Sequence, residues 1–184
     1  MRTIYTILFC LALGTNASMA SQPPQAAVAT AHPIATQAGM EILAAGGNAF
    51  DAAVAVSATL AVVEPYSSGI GGGGFWLLHR AVDGKQVMID GRETAPLAAT
   101  RTMYQDKEGK VIPGLSVDGP LAAAIPGQPA ALVHIAESYG QLPLAQSLAP
   151  AIRAAREGFE VTPHFRRMAQ FRLKALRASP AAAE

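Results

Sequence analysis

The sequence predicts an α+β fold, and three observations carry that prediction. Two helical patterns come first, one hairpin of strands follows, and the last third returns to helix, without the strand–helix alternation of a parallel sheet. From Ala52 to Val63 only Ser57 and Thr59 interrupt a run of Ala, Val and Leu. A helix apolar on every side is a buried one, so this run predicts a helix sandwiched between layers. Apolar residues make up 51% of the chain and aromatic residues only 6%, so small aliphatic side chains set thin, closely packed layers.

The first 20 residues have the three parts of an export signal. Arg2 supplies a positive start, Ile4 to Leu13 an apolar stretch, and Ser18-Met19-Ala20 the small residues that a signal peptidase inspects. About ten apolar residues fall short of the roughly 20 that span a bilayer. Cleavage is expected after Ala20, with the mature protein secreted or periplasmic and no membrane anchor left. Cys10, the only cysteine, would leave with the signal, taking any disulfide or thiol chemistry with it. Residues 21–31 are expected to be a flexible lead-in, because Pro23-Pro24 blocks regular structure.

Residues 32–184 form the remainder. A helix is predicted from Pro33 to Ala45, with proline in its first turn and Gly46-Gly47 as its left-handed stop. Asn48 caps the next helix and Asp51 meets its exposed amides; Glu64-Pro65 ends it. Tyr66 to Gly74 is a glycine-rich turn. Phe75–Arg80 and Gln86–Ile89 read as strands joined at Asp83-Gly84. Asp90 to Pro96 leaves the second strand as a loop, a short helical segment follows, and Asp106 to Lys110 signals a turn. Helices are then predicted at Pro129–Tyr139, Pro143–Leu148 and Pro150–Glu157. The last begins near Pro163 with Thr162 as its cap; Arg166, Arg167, Arg172, Lys174 and Arg177 read as its solvated face.

Composition and spacing exclude several chemistries. Formal net charge is +1 with Lys and Arg scattered, so the basic stripe that nucleic acid requires is missing. His32, His79, His134 and His164 never fall at metal-ligand spacing, and no metal site is expected. Gly69 to Gly74 contains G-x-G-x-x-G with Asp90 about 20 residues on, but dinucleotide binding needs a strand before and a helix after. Here the predicted order is reversed. A phosphate loop fails too, since Phe75 and Trp76 stand where Lys and Ser or Thr are needed. Four glycines in a row leave a steric role, close packing of backbone, or one bare wall of a ligand cleft. Gly114-Leu115-Ser116-Val117-Asp118 misses the nucleophile elbow at its last position. No cofactor is expected. Charged residues are only 15% of the chain, against roughly 25% in soluble domains, which predicts a surface covered by more chain or a partner subunit.

Arg92 stands directly after a strand, in a loop bracketed by Gly91 and Pro96. A guanidinium on so stiff a frame can grip a carboxylate through two parallel hydrogen bonds. The residues alone favour a structural ion pair or a surface position, and nothing in composition or spacing overturns that.

The motifs, taken in order, resemble those of the γ-glutamyltransferases (γ-glutamyltranspeptidases). They are His32-Pro33-Ile34-Ala35-Thr36-Gln37-Ala38-Gly39, Gly46 to Ala55, Val63-Glu64-Pro65, Ser67 to Phe75 and Asp90-Gly91-Arg92-Glu93-Thr94-Ala95-Pro96. Pro126-Gly127, Tyr139-Gly140, Leu148 to Ile152 and Glu157-Gly158-Phe159 continue the likeness, which covers about His32 to Pro163. The resemblance implies an N-terminal-nucleophile hydrolase fold of αββα layers, incomplete in this chain. It implies a precursor that cuts itself into large and small subunits. The new N-terminal Thr of the small subunit attacks the γ-glutamyl amide of glutathione-like donors and passes the acyl group to water, amino acids or peptides. In that scheme Arg92 matches the arginine that holds the donor's α-carboxylate. Glu184 falls within what would be the large subunit, so the catalytic Thr is expected beyond it and this chain by itself is expected to be inactive. A related β-lactam (cephalosporin-type) acylase and a non-catalytic truncated product are the alternatives.

Overall fold

The computed structural model describes residues 26–180; the expected export signal lies outside them. The element order is α1 (Pro33–Ala44), α2 (Ala49–Val63), β1 (Gly74–Arg80), β2 (Lys85–Gly91), a 3-10 turn (Pro120–Ala122), α3 (Gln128–Tyr139), α4 (Leu144–Glu157) and α5 (Pro163–Ala178). Helices and a hairpin thus form the predicted mixed architecture.

His32 caps α1, its Nδ1 accepting from the Ile34 amide at 3.2 Å. The left-handed Gly46 (φ 90°) then turns the chain so that Gly47 N–H reaches the Ile42 carbonyl at 3.0 Å. Asn48 and Asp51 form a reciprocal capping box on α2. Asn48 Oδ1 accepts from the Phe50 and Asp51 amides, and Asp51 Oδ2 accepts from the Asn48 amide at 2.9 Å. Beyond Asp51 no residue of α2 is exposed, because α1, α3 and α4 all pack on it.

Asp51 also spans the fold. Its carboxylate, fully buried, accepts from Gln141 N–H at 2.9 Å and Leu142 N–H at 3.3 Å. Asn48 Nδ2 donates to the Tyr139 carbonyl at 2.7 Å. The start of α2 and the α3–α4 turn are therefore one hydrogen-bonded unit.

β1 and β2 pair antiparallel from Gly74↔Gly91 to Arg80↔Lys85. Trp76, Leu78, Val87 and Ile89 pack with Val54, Leu132, Ile135 and Ala136 in the core. Trp76 Nε1 donates to Ser57 Oγ at 3.2 Å, fixing the hairpin on α2. Period-2 alternation sends Phe75, Leu77 and Met88 to the opposite face, where all three are exposed. The hairpin turn carries a bidentate pair between Arg80 and Asp83, with Nη2 to Oδ2 at 2.5 Å and Nε to Oδ1 at 2.9 Å.

Three expectations need correction. The helical segment expected after Pro96 is a series of separate turns, Ala99 N–H to Pro96, Met103 N–H to Thr100 and Gln105 N–H to Thr102. These closures never join into a continuous i, i−4 ladder. Second, Pro143–Leu148 and Pro150–Glu157 are one helix, α4, running through Pro150. Proline there removes one backbone bond, but Ser147, Pro150 and Ala151 form a buried face where α4 meets α1 and α2, and that packing holds the helix together. Third, the described end of the lead-in, residues 26–31, is anchored rather than free. Its burial alternates residue by residue, Val28 lies where a Cβ on Gly39 would touch it, and Thr30 Oγ1 donates to the His32 carbonyl at 2.8 Å.

The turn at Asp106 stands as expected, Asp106 Oδ1 accepting from the Glu108 and Lys110 amides. Thr162 caps α5 through the Phe165 amide at 3.1 Å. No residue of α5 is buried, which fits a solvated basic face, and Arg172 of that face pairs with Asp118.

Candidate functional site

β2 ends at Gly91, and the next residue is Arg92. Asp90 Oδ1 accepts from the Arg92 amide at 3.0 Å, bending the chain out of the sheet. Two residues on, Thr94 and Ile125 exchange backbone bonds of 3.2 and 2.9 Å. The loop is thus held against the segment that leads into α3.

The glycine-rich loop closes on it from the other side. The Gly72 carbonyl accepts from the Gly127 and Gln128 amides at 3.2 and 3.1 Å. A Cβ on Gly73 would lie 2.8 Å from Arg92 Cα and 2.9 Å from Glu93 N. The run of glycines therefore serves close approach of backbone to backbone. α2 precedes it and β1 follows it, the reverse of a dinucleotide fold, as the predicted order required.

A cavity of about 620 Å³ opens beside this junction, lined among others by Gly71, Arg92, Thr94, Pro96, Thr100 and Tyr104. The glycine loop thus contributes Gly71 to its wall as well as packing. Tyr104 is fixed there by donating from its hydroxyl to the Leu121 carbonyl at 2.9 Å. The Arg92 side chain is 61% exposed, and its Nε lies 3.3 Å from Glu93 Oε2. That oxygen is shielded from solvent and accepts no hydrogen bond among the described residues, so its tie to Arg92 is one of charge. Arg92 is therefore an ion-pair member and a cavity-lining cation at once. Glu93 takes the Nε side of the guanidinium. The two terminal amino groups, which a carboxylate would bridge, have no protein partner among the described residues.

Sequence reasoning found Arg92 and missed what holds it. Glu93 was visible only as a neighbour in the chain, and adjacency does not say that its carboxylate folds back on the guanidinium. Gly127 is distant in sequence, and only the fold brings it to Arg92. Ser116 sits exposed in a turn, in line with the absence of a nucleophile elbow.

Residues 35–184 match the family model described as Gamma-glutamyltranspeptidase. The glutathione hydrolase proenzyme of Pseudomonas sp. (strain A14) is 47% identical over 158 residues, 84% of this chain and 27% of that protein. The Acylase ACY 1 proenzyme of Pseudomonas sp. (strain SE83) is 46% identical over 144 residues, 74% of this chain and 25% of that protein. Among solved structures, Helicobacter pylori γ-glutamyltranspeptidase superposes with a TM-score of 0.84 at 38% identity, covering 88% of this chain and 46% of that one. The chain spans about a quarter of the length of the curated relatives it matches. The fold is part of the N-terminal-nucleophile hydrolase architecture, a helical layer on a fragment of sheet. By family model, sequence identity and fold together, this chain belongs to the γ-glutamyltranspeptidase family.

Proposed function

We propose that this chain is the N-terminal part of the large subunit of a γ-glutamyltransferase and glutathione hydrolase precursor, and that Arg92 holds the α-carboxylate of the γ-glutamyl donor. The observation that carries the reading is Arg92 itself, anchored at its backbone and at Nε, with its outer edge open on a cavity. The proenzyme names of the relatives support a precursor with a second subunit.

The chemistry follows from the family scheme. Arg92 grips the donor's α-carboxylate, which points the γ-amide toward a nucleophile supplied by the small subunit of the same precursor. That nucleophile is the N-terminal Thr, its own α-amino group serving as base. The acyl-enzyme then yields the γ-glutamyl group to water or to an amino acid or peptide. Arg92 contributes orientation and charge, and needs no cofactor. The three-part signal read in residues 1–20 supports export out of the cytoplasm, with a mature start at Ser21.

The acylase likeness supports a second reading, removal of the side-chain acyl group from β-lactams. Donor structure separates the two. Expressed as a complete self-cleaving precursor, the protein should hydrolyse γ-glutamyl amides bearing a free α-amino acid far faster than acyl β-lactams. The opposite preference would assign it to the acylases, and the absence of self-cleavage together with the absence of either activity would leave a non-catalytic product. N-terminal sequencing of exported material checks the localisation, which an intact Met1 would contradict.

A further inference from the structure

We infer that Gly127 is a positioning residue for Arg92, a role that rests on the carboxylate-binding reading above. Gly127 is the N-cap of α3, with φ −97° and ψ −23°, a backbone region open to every residue. Glycine is not needed there for conformation. Nor is it the best cap, since Ser, Thr, Asn or Asp would bond an exposed amide and α3 has no side-chain cap. Space is the remaining reason. A Cβ at 127 would collide with the carbonyl oxygens of both Gly91 and Arg92 and lie 2.7 Å from the Gly91 carbonyl carbon.

Gly73 meets the same peptide, and its Cβ would collide with the Gly91 oxygen and with Arg92 Cα. The Gly91–Arg92 peptide is therefore packed against two bare Cα atoms. The bonds from Gly127 and Gln128 to Gly72, and between Thr94 and Ile125, lock the three strands of chain together. α3 carries Ala131, Leu132, Ile135 and Ala136 in the core, so the clamp ties Arg92 to a helix packed in the core. A shift of about 1 Å in a positioning group costs on the order of 100-fold in rate. A methyl group at 127 would impose a displacement of that kind on the Arg92 backbone.

The test compares variants of the complete self-cleaving precursor on γ-glutamyl donors with and without the α-carboxylate. Gly127→Ala should lower kcat/KM for carboxylate-bearing donors about 10- to 100-fold, with donors lacking the carboxylate unaffected. Gly73→Ala, which crowds the same peptide, should do the same. Gly69→Ala, in the same loop but with its methyl meeting nothing closer than Gly71 N at 4.0 Å, should match the wild type. Gly127→Ser restores an N-cap, and should recover melting temperature lost in Gly127→Ala without recovering donor affinity. Rescue of affinity by serine would reassign Gly127 to helix capping. The inference is also overturned if Arg92→Ala discriminates the donors while Gly127→Ala and Gly73→Ala bind them as wild type does, or if both variants fail to self-cleave. If Arg92→Ala itself affects both donors equally, the carboxylate reading fails first.

Discussion

Arg92 and Asp51 are charged residues with opposite tasks, and their surroundings say which is which. Arg92 is largely exposed, held on one edge and open on the other. Removing a hydrogen-bonded charge from a partly closed cleft costs on the order of 2–5 kcal/mol. Arg92→Ala in the complete precursor should therefore lower kcat/KM for γ-glutamyl donors roughly 30- to several-thousand-fold. Arg92→Lys should recover only part, since a point charge cannot make two parallel bonds. Equal losses for donors with and without the α-carboxylate, or failure to self-cleave, would give Arg92 a structural role. Asp51 is fully buried and its carboxylate accepts from Asn48, Gln141 and Leu142. Asp51→Ala leaves these amides without an acceptor and should cost on the order of 3–5 kcal/mol. Asp51→Asn, which keeps one accepting oxygen, should cost less. Thermal melting checks both, and a melt unchanged in Asp51→Ala would remove the tie between α2 and the α3–α4 turn.

At the scale of elements, local chemistry and packing divide the work. The hairpin turn is set locally. Hydrogen bonds from the Arg80 side chain, with the smaller help of its charge, hold the Asp83 carboxyl below the ordinary aspartate range. A lowered folded value means that the pair's contribution is complete above the ordinary value of about 3.9. It is lost as pH falls through the folded value. NMR titration of the Asp83 carboxyl should show that low midpoint, and Arg80→Gln should return it toward the ordinary value. An ordinary midpoint in the unsubstituted protein would dissolve the pair. α4 shows the other regime. Its sequence reads as two helices broken at Pro150, because a proline costs an interior helix about 3 kcal/mol. Burial of Ser147, Pro150 and Ala151 overrides that preference.

Taken as a whole, the molecule buries one face of its hairpin and leaves the other bare. Phe75, Leu77 and Met88 are 59%, 68% and 58% exposed on the outer face, where the αββα arrangement sets a second sheet. With charged residues only 15% of the chain, little on the surface opposes association. The isolated 184-residue chain should therefore be poorly soluble and bind an apolar dye. A monodisperse preparation with a sharp, cooperative melt and no dye binding would show an independent domain instead.

The sequence by itself determined what depends on neighbours along the chain. The capping box at Asn48 and Asp51, the stop at Gly46, the Asp83-Gly84 turn and the buried α2 are each written within a few residues, because capping, turn chemistry and apolar patterning act over that range. The order of motifs also determined the family, and with it the candidate role of Arg92. Tertiary structure alone decided that Asp51 reaches across to Gln141 and Leu142, that Glu93 folds back on Arg92, and that Gly127 meets the Arg92 backbone. The first and last are contacts between segments brought together by the burial of α2 and α3, the second is a side-chain direction that adjacency does not fix, and steric exclusion between distant backbones leaves no periodic signal in the sequence. A glycine that must be small because of a neighbour far along the chain is written with the same letter as one that merely turns.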